Sequence, residues 1–212
     1  MFDHPLFQKL QNYQFVLGSS SPRRKEILAA NLNISNFIVV KSTFEENLSK
    51  QNTLAIDYVT ATAEHKIDSI VTQLLPGKPY VLLVADTVVS CGGHIFEKPG
   101  TREKQMEMLR HYRSHPNDIQ VITAIQVCEI DSSLRVISRL LDCEITTLKF
   151  NAQLSDTQLQ YYVNSEEGID VAGGFKYQCL GSLLFSGIEG DYFNVVGLPA
   201  AKTFYLLDRL LS

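Results

Sequence analysis

The chain has no C-x-x-C pair and no histidine at zinc-finger spacing, and Cys91, Cys128, Cys143 and Cys179 stand far apart along its 212 residues. That spacing argues against a disulfide framework and against a structural zinc site, and predicts four reduced, mostly buried thiols. Positive charge is not in excess either. With 19 Lys and Arg against 23 Asp and Glu, the formal charge is -4 and the pI is near 5.7, so there is no electrostatic footprint for duplex nucleic acid. No apolar run reaches 18 residues, which predicts no membrane span. The opening Met1-Phe2-Asp3-His4-Pro5 lacks the charged-then-apolar pattern of a secretion signal, and the expected location is cytoplasmic, with a nuclear pool allowed.

Several common catalytic patterns are missing as well. Gly18 with Arg23-Arg24-Lys25 lacks the second glycine and the Lys-Ser/Thr ending of a P-loop. Gly18-Ser19-Ser20-Ser21-Pro22 overlaps a nucleophile elbow but carries proline where glycine is needed, which argues against a serine hydrolase. The histidines at 4, 65, 94, 111 and 115 form no H-E-x-x-H and are expected at the surface.

What is present is an ordinary soluble composition, 45% hydrophobic and 20% charged, enough to bury a substantial core in a single domain spanning 1–212. Tyr80 to Val89 is a near-continuous apolar run, the pattern of a strand covered on both faces in an α/β sheet. Further strands are predicted at about 13–17, 37–40, 119–130, 135–148 and 182–186. Helices are predicted at about 22–31, 53–75 and 101–113, in a short segment opened by the Ser155/Gln158 capping box, and at the C-terminus. The turn Asp131-Ser132-Ser133 pairs two of the strands antiparallel, so the sheet is expected to be mixed.

The segment Leu17 to Leu28 joins a strand end to a serine cluster, an N-cap at Ser21, Pro22 at the first helical position, and then Arg23 and Arg24. Cations in a first helical turn oppose the macrodipole, at roughly 0.3–1 kcal/mol each. A bound phosphate reverses that sign, since helix amides, the Ser19 and Ser21 hydroxyls and two guanidinium forks then converge on one polyanion.

Asp86 lies inside the apolar run and needs a cation or donors to meet its carboxylate. A divalent ion answers that need; a structural cap through Thr87 is the alternative. Glu45 and Glu46 form either a solvated acidic turn or, with Asp86, a set of hard oxygen ligands suited to Mg²⁺. Lys98 precedes a proline that shapes its backbone, and Lys66 sits sideways on the long helix, where it could also snorkel. Gln178 lies among Gly173, Gly174 and Gly181, where bare backbone allows close approach of a flat base.

Taken in order, Ser19-x-Ser21-Pro22-Arg23-Arg24, Glu45-Glu46, Ala63-Glu64-x-Lys66, Ala85-Asp86-Thr87, Glu97-Lys98-Pro99, Ala172-Gly173-Gly174-Phe175-x-x-Gln178 and Val195-Val196-Gly197-Leu198-Pro199 resemble the motifs of the Maf family of nucleotide pyrophosphatases, from residue 14 to about 210. The resemblance implies a two-lobed, elongated mixed sheet flanked by helices, similar to the inosine triphosphate pyrophosphatases, with a central cleft. It implies hydrolysis of a nucleoside triphosphate to the monophosphate and pyrophosphate with Mg²⁺ or Mn²⁺, and a homodimer. Arg23, Arg24, Ser19 and Ser21 would grip the triphosphate, and Lys66 and Lys98 would neutralise the leaving pyrophosphate. Asp86 and Glu46 would hold the metal, Asp86 being also the candidate base, and Gln178 would read the nucleobase. Within the family, Ala85-Asp86-Thr87 with Glu97-Lys98-Pro99 resembles the members acting on dTTP and UTP. Phe175-Lys176 resembles instead the branch acting on 7-methyl-GTP. A nucleotide-binding regulator without turnover is the expectation from a different class.

Overall fold

Helices alternate with strands from the N-terminal end onward, and the strands join one mixed sheet. The computed structural model describes residues 4–45, 48–51 and 53–212. α1 (Pro5–Leu10) leads to β1 (Gln14–Leu17); α2 (Pro22–Glu26) runs on into a π-helical turn, Ile27–Asn31, before β2 (Phe37–Val39) and α3 (Ala55–Val71). Then come β3 (Tyr80–Cys91), β4 (His94–Phe96), α4 (Arg102–Ser114), β5 (Ile119–Ile130) and β6 (Val136–Phe150). α5 (Asp156–Asn164), β7 (Phe185–Glu189), α6 (Tyr192–Val196) and α7 (Ala200–Leu210) complete the chain.

The sheet order is β2-β1-β3-β5-β6-β7, with β4 folded back on the end of β3. β1 is parallel to β2 and β3, and the remaining pairs are antiparallel. The mixed α/β sheet flanked by helices is therefore present. Its long strands pass through separate cores. At one end of β3, Val81, Leu83 and Ala85 face the cluster that includes Leu28 and the α7 residues Leu206 and Leu207, while Leu82 and Val84 face the α3 residues Val59, Ile67 and Ile70. At the other end, Val89 and Cys91 join a third cluster with Leu109 and Tyr112 of α4 and Leu159 of α5. Asp86 and Thr87 lie at the crossing between these cores, opposite Ala124 and Thr123 of β5.

Element boundaries differ from the sequence expectation where side chains compete for backbone. α3 ends before Pro76 because Ser69 O accepts from Thr72 Oγ1 (3.0 Å) and Gln73 Nε2 (2.7 Å), and the following amides turn to i→i-3 partners. The last strand starts at Phe185 rather than 182, because Leu180–Leu184 form a 3₁₀ helix whose Gly181 amide donates to Glu167 Oε1 (3.0 Å). α1 was not expected; His4 Nδ1 caps it by accepting from Leu6 N (3.3 Å). All four cysteines are free, but only Cys91 and Cys128 are buried, and Cys179 is exposed. The histidines are not all surface residues either, since His111 and His115 are half-buried. Among the described residues no helix is long and apolar enough to cross a membrane.

Candidate active site

The carboxylate at the crossing point is met by a lysine. Asp86 and Lys66 are each 7% exposed, and Lys66 Nζ lies 2.6 Å from Asp86 Oδ1. Lys66 belongs to the buried stripe of α3, one turn from Thr62 and Ile70, so its ammonium is delivered beneath the sheet and not to solvent. A charged residue on an otherwise inward-facing helical stripe was the legible signal that it would find a buried partner.

The two adjacent arginines do different work. Arg24 spreads its guanidinium over acceptors that include Gly197 O (from Nε, 2.8 Å), Ala85 O (from Nη1, 2.8 Å), Ser19 Oγ (from Nη1, 3.2 Å) and Thr87 Oγ1 (from Nη2, 3.0 Å). It clamps the turn after α6 to the strand that carries Asp86. Arg23 donates from Nε to Val196 O (3.0 Å), and among the described residues its terminal nitrogens have no hydrogen bond. Burial lowers its pKa, yet a guanidinium stays protonated in a protein. Arg23 is thus an oriented cation with its fork still to be used.

Ser21 caps α2 through Arg24 N, as its position suggested. Ser19 Oγ accepts from both Ser21 N (3.2 Å) and Arg24 Nη1, which leaves its hydroxyl hydrogen to be donated elsewhere. Asn194 holds α6 in place by donating to Val121 O (2.9 Å) and Thr146 Oγ1 (2.9 Å), and so fixes the carbonyls that hold both arginines.

These groups line one cleft of about 470 Å³, within the usual size of a small-molecule site. Its walls carry six cationic side chains, Arg23, Arg24, Lys41, Lys66, Lys98 and Lys176, against the carboxylates of Asp86 and Asp170, on a chain whose formal net charge is -4. Cations thus outnumber carboxylates around Asp86, although the chain as a whole is acidic. Lys98 is exposed on the wall, and the neighbouring Glu97 points away from it, accepting from Tyr58 Oη (2.7 Å) and pairing with Lys50.

Two expected participants are not on this wall. Gln178 is half-buried but does not line the cleft, and Lys176, two positions earlier, does. Glu45 is exposed and also outside it, and Glu46 lies outside the described residues. Lys41 and Asp170 were missed by sequence reasoning, because isolated surface-type charges carry no local signal.

The donor set suits a hard divalent ion in one respect. Lys66 engages Oδ1 of Asp86, and Oδ2 has no hydrogen bond among the described residues. One carboxylate oxygen supplemented by phosphate oxygens is how Mg²⁺ is commonly held.

A family model described as Maf-like protein matches residues 14–210. The dTTP/UTP pyrophosphatase of Saccharomyces cerevisiae is 37% identical over 206 residues, covering 91% of this chain and 88% of that protein. The dTTP/UTP pyrophosphatase of Bacillus velezensis is 35% identical over 198 residues, covering 92% of this chain and 96% of that protein. The probable bifunctional dTTP/UTP pyrophosphatase/methyltransferase protein of Homo sapiens is 36% identical over 200 residues, which is 92% of this chain and 32% of that protein. A solved Mycobacterium abscessus dITP/XTP pyrophosphatase is a distant likeness, 9% identical with a TM-score of 0.35 over 66% of this chain and 73% of that one.

Proposed function

The chain belongs to the Maf family, and from that membership we propose that it is a nucleoside triphosphate pyrophosphatase acting on dTTP and UTP. The observation that carries this reading is the concentration of six cations around one buried carboxylate in an acidic protein. A triphosphate brings three to four negative charges; such a site compensates them where water is scarce.

In the proposed reaction a water oxygen bonds to the α-phosphorus while the bond from that phosphorus to the bridging oxygen breaks, releasing pyrophosphate and the monophosphate. The free fork of Arg23 and the hydroxyl of Ser19 orient the phosphate chain. Lys98 and Lys41 offset charge that moves onto the leaving pyrophosphate, interactions that strengthen in the transition state. Arg24 acts one step back, by holding Thr87 and the 196–197 turn in register. Asp86 has one oxygen to offer an ion or a proton of the attacking water, while Lys66 holds the other. Mg²⁺ or Mn²⁺ held by Asp86 and substrate oxygens would supply polarisation of the phosphoryl group.

A homodimer in the cytoplasm completes the proposal. It is supported by the outer edge of β6, whose residues 136–146 pair only with β5 among the described residues and expose Ile137, Leu141 and Ile145. Sedimentation of the purified chain tests it.

The activity is tested by pyrophosphate release from a panel of dTTP, UTP, 7-methyl-GTP and ITP with Mg²⁺. Turnover highest on dTTP and UTP is expected. Nucleotide binding without release of pyrophosphate overturns the enzymatic reading, and a preference for 7-methyl-GTP overturns the substrate assignment.

A further inference from the structure

Away from the cleft, the far end of β3 and the far end of α4 bring together a second group of side chains that the reaction does not use. Cys91 closes β3 and is fully buried, His111 lies in the last turn of α4, and His115 is that helix's C-cap. The Cys91 Sγ and ring nitrogens of both histidines all lie within 4.8 Å of one another. We propose that Cys91, His111 and His115 form a binding site for a zinc-class divalent transition metal, distinct from the nucleotide cleft.

The orientation of the two imidazoles is the first support. They stand one helical turn apart with rings stacked at 4.4 Å and 25° between planes, so they face the same way. His115 Nδ1 is 3.0 Å from His111 O, an acceptor that selects the tautomer with the proton on Nδ1 and the lone pair on Nε2. Backbone carbonyls orient ligating histidines in this manner at known metal sites. Both Nε2 atoms also converge on one spot, since a Cβ placed on Gly92 would lie 3.4 Å from that of His111 and 3.7 Å from that of His115. Gly92, at φ +56, leaves that spot open. The contact from His111 Nε2 to Cys91 O, at 3.4 Å, is long enough to yield to a better partner.

Ligand chemistry selects the metal. One thiolate and two imidazoles are soft to borderline donors, which favour zinc and its neighbours and disfavour Mg²⁺. Bonds of about 2.0–2.3 Å place tetrahedral ligands on the order of 3.5 Å apart, so closing the present spread takes side-chain shifts of roughly an ångström. The fourth position falls to water or to His94, whose ring centroid is 5.4 Å from that of His111. The carbonyl end of α4 adds a favourable negative potential for a cation. Burial, followed by the Asp118 charge, pushes the Cys91 thiol up to about 11, so binding must displace its proton: thiol plus M²⁺ gives the metal thiolate and one H⁺ released to solvent.

Such an ion would join the β3–β4 hairpin to α4. β4 runs on directly into Glu97 and Lys98, so the site would brace the arm that carries a cleft lysine.

The test is titration of the chelator-treated full chain with Co²⁺, without nucleotide. A thiolate-to-cobalt charge-transfer band with tetrahedral d–d absorption, at one equivalent and lost on adding Zn²⁺, is the expected result. His111→Ala and His115→Ala, both at half-buried positions, should each weaken cobalt binding at least about tenfold. Circular dichroism shows that each variant is folded. Zn²⁺ should raise the melting temperature of the parent and not of His115→Ala. Absence of the charge-transfer band overturns the proposal, and so does a band that survives in both histidine variants, because its thiolate is then another cysteine. The cobalt signal does not depend on pyrophosphatase activity, so the two proposals fail separately.

Discussion

Lys66 Nζ lies 2.6 Å from Asp86 Oδ1, and both side chains are nine-tenths or more buried. Neither charge has water enough to be stable alone, so the pair must be broken at large cost and replaced at small cost. Lys66→Met is expected to destabilise the fold by about 3–5 kcal/mol, because it leaves a buried carboxylate uncompensated. Lys66→Met combined with Asp86→Leu should recover at least half of that loss while remaining inactive. Urea unfolding of the two variants and the parent measures the difference; a double variant no more stable than Lys66→Met would show that the pairing is not what holds Asp86.

The neighbouring arginines should separate by phenotype. Arg24→Ala deletes charged hydrogen bonds to Gly197, Ala85, Thr87 and Ser19 and is expected to cost at least about 3 kcal/mol in stability. Arg23→Ala deletes one bond to Val196, about 1 kcal/mol, but removes the open fork. Its effect should fall on kcat/KM, by roughly a hundredfold, with the melting temperature nearly kept. Equal losses of stability in the two variants would contradict the division of labour.

That division could not be read from residues 23 and 24 alone. Both stand side by side in a first helical turn, and what distinguishes them are carbonyls of residues 196 and 197, 173 positions away. The strands were more legible, because a near-continuous apolar run such as Tyr80 to Val89 has few alternatives to a strand buried on both faces. The cap at Ser155 was legible too, since its hydrogen bonds are local. The π-helical turn at Ile27–Asn31, with Leu32 N bonded to Ile27 O, has no pattern of its own in the sequence. Nor does the meeting of Cys91 with His111 and His115, which depends on where β3 and α4 end.

Gly18 is required by close approach. Its amide donates to Leu83 O at 2.8 Å, and an added Cβ would meet Ile70 Cδ1 at 2.6 Å and Val84 Cγ2 at 2.9 Å. Gly18→Ala is expected to cost about 1–3 kcal/mol through overpacking. Ile70→Val removes the nearest clashing atom, so the double variant should be more stable than the sum of the single effects predicts. Thermal unfolding of the four proteins gives that coupling, and simple additivity would place the strain elsewhere.

Tyr13 supplies a test in alkaline solution. Its hydroxyl donates to Glu129 Oε1 at 2.6 Å, and that hydrogen bond, with burial and the carboxylate charge, raises its pKa from 10.0 to about 12. The folded state holds this proton more tightly than the unfolded chain does, so the contribution is complete below pH 10 and disappears as pH rises toward 12. The stability difference between the parent and Tyr13→Phe should therefore be constant up to about pH 10 and shrink above it. A difference that stays constant through pH 12 would mean the proton is not held by Glu129.

Nucleobase preference should depend more on Lys176 than on Gln178. Lys176 lines the cleft, whereas the half-buried Gln178 does not, although the two share one loop. An ammonium on the wall can donate to a carbonyl of thymine or uracil, and it loses that contact on truncation, while a side chain out of reach changes little when shortened. Lys176→Ala is accordingly expected to narrow the ratio of kcat/KM for dTTP over 7-methyl-GTP by about tenfold, the effect of one hydrogen bond to a charged donor, and Gln178→Ala to leave it within about twofold. Competition between the two nucleotides in one reaction reads the ratio directly. The reverse ranking would require the 175–178 loop to turn when a nucleotide enters, exchanging the two side chains on the wall.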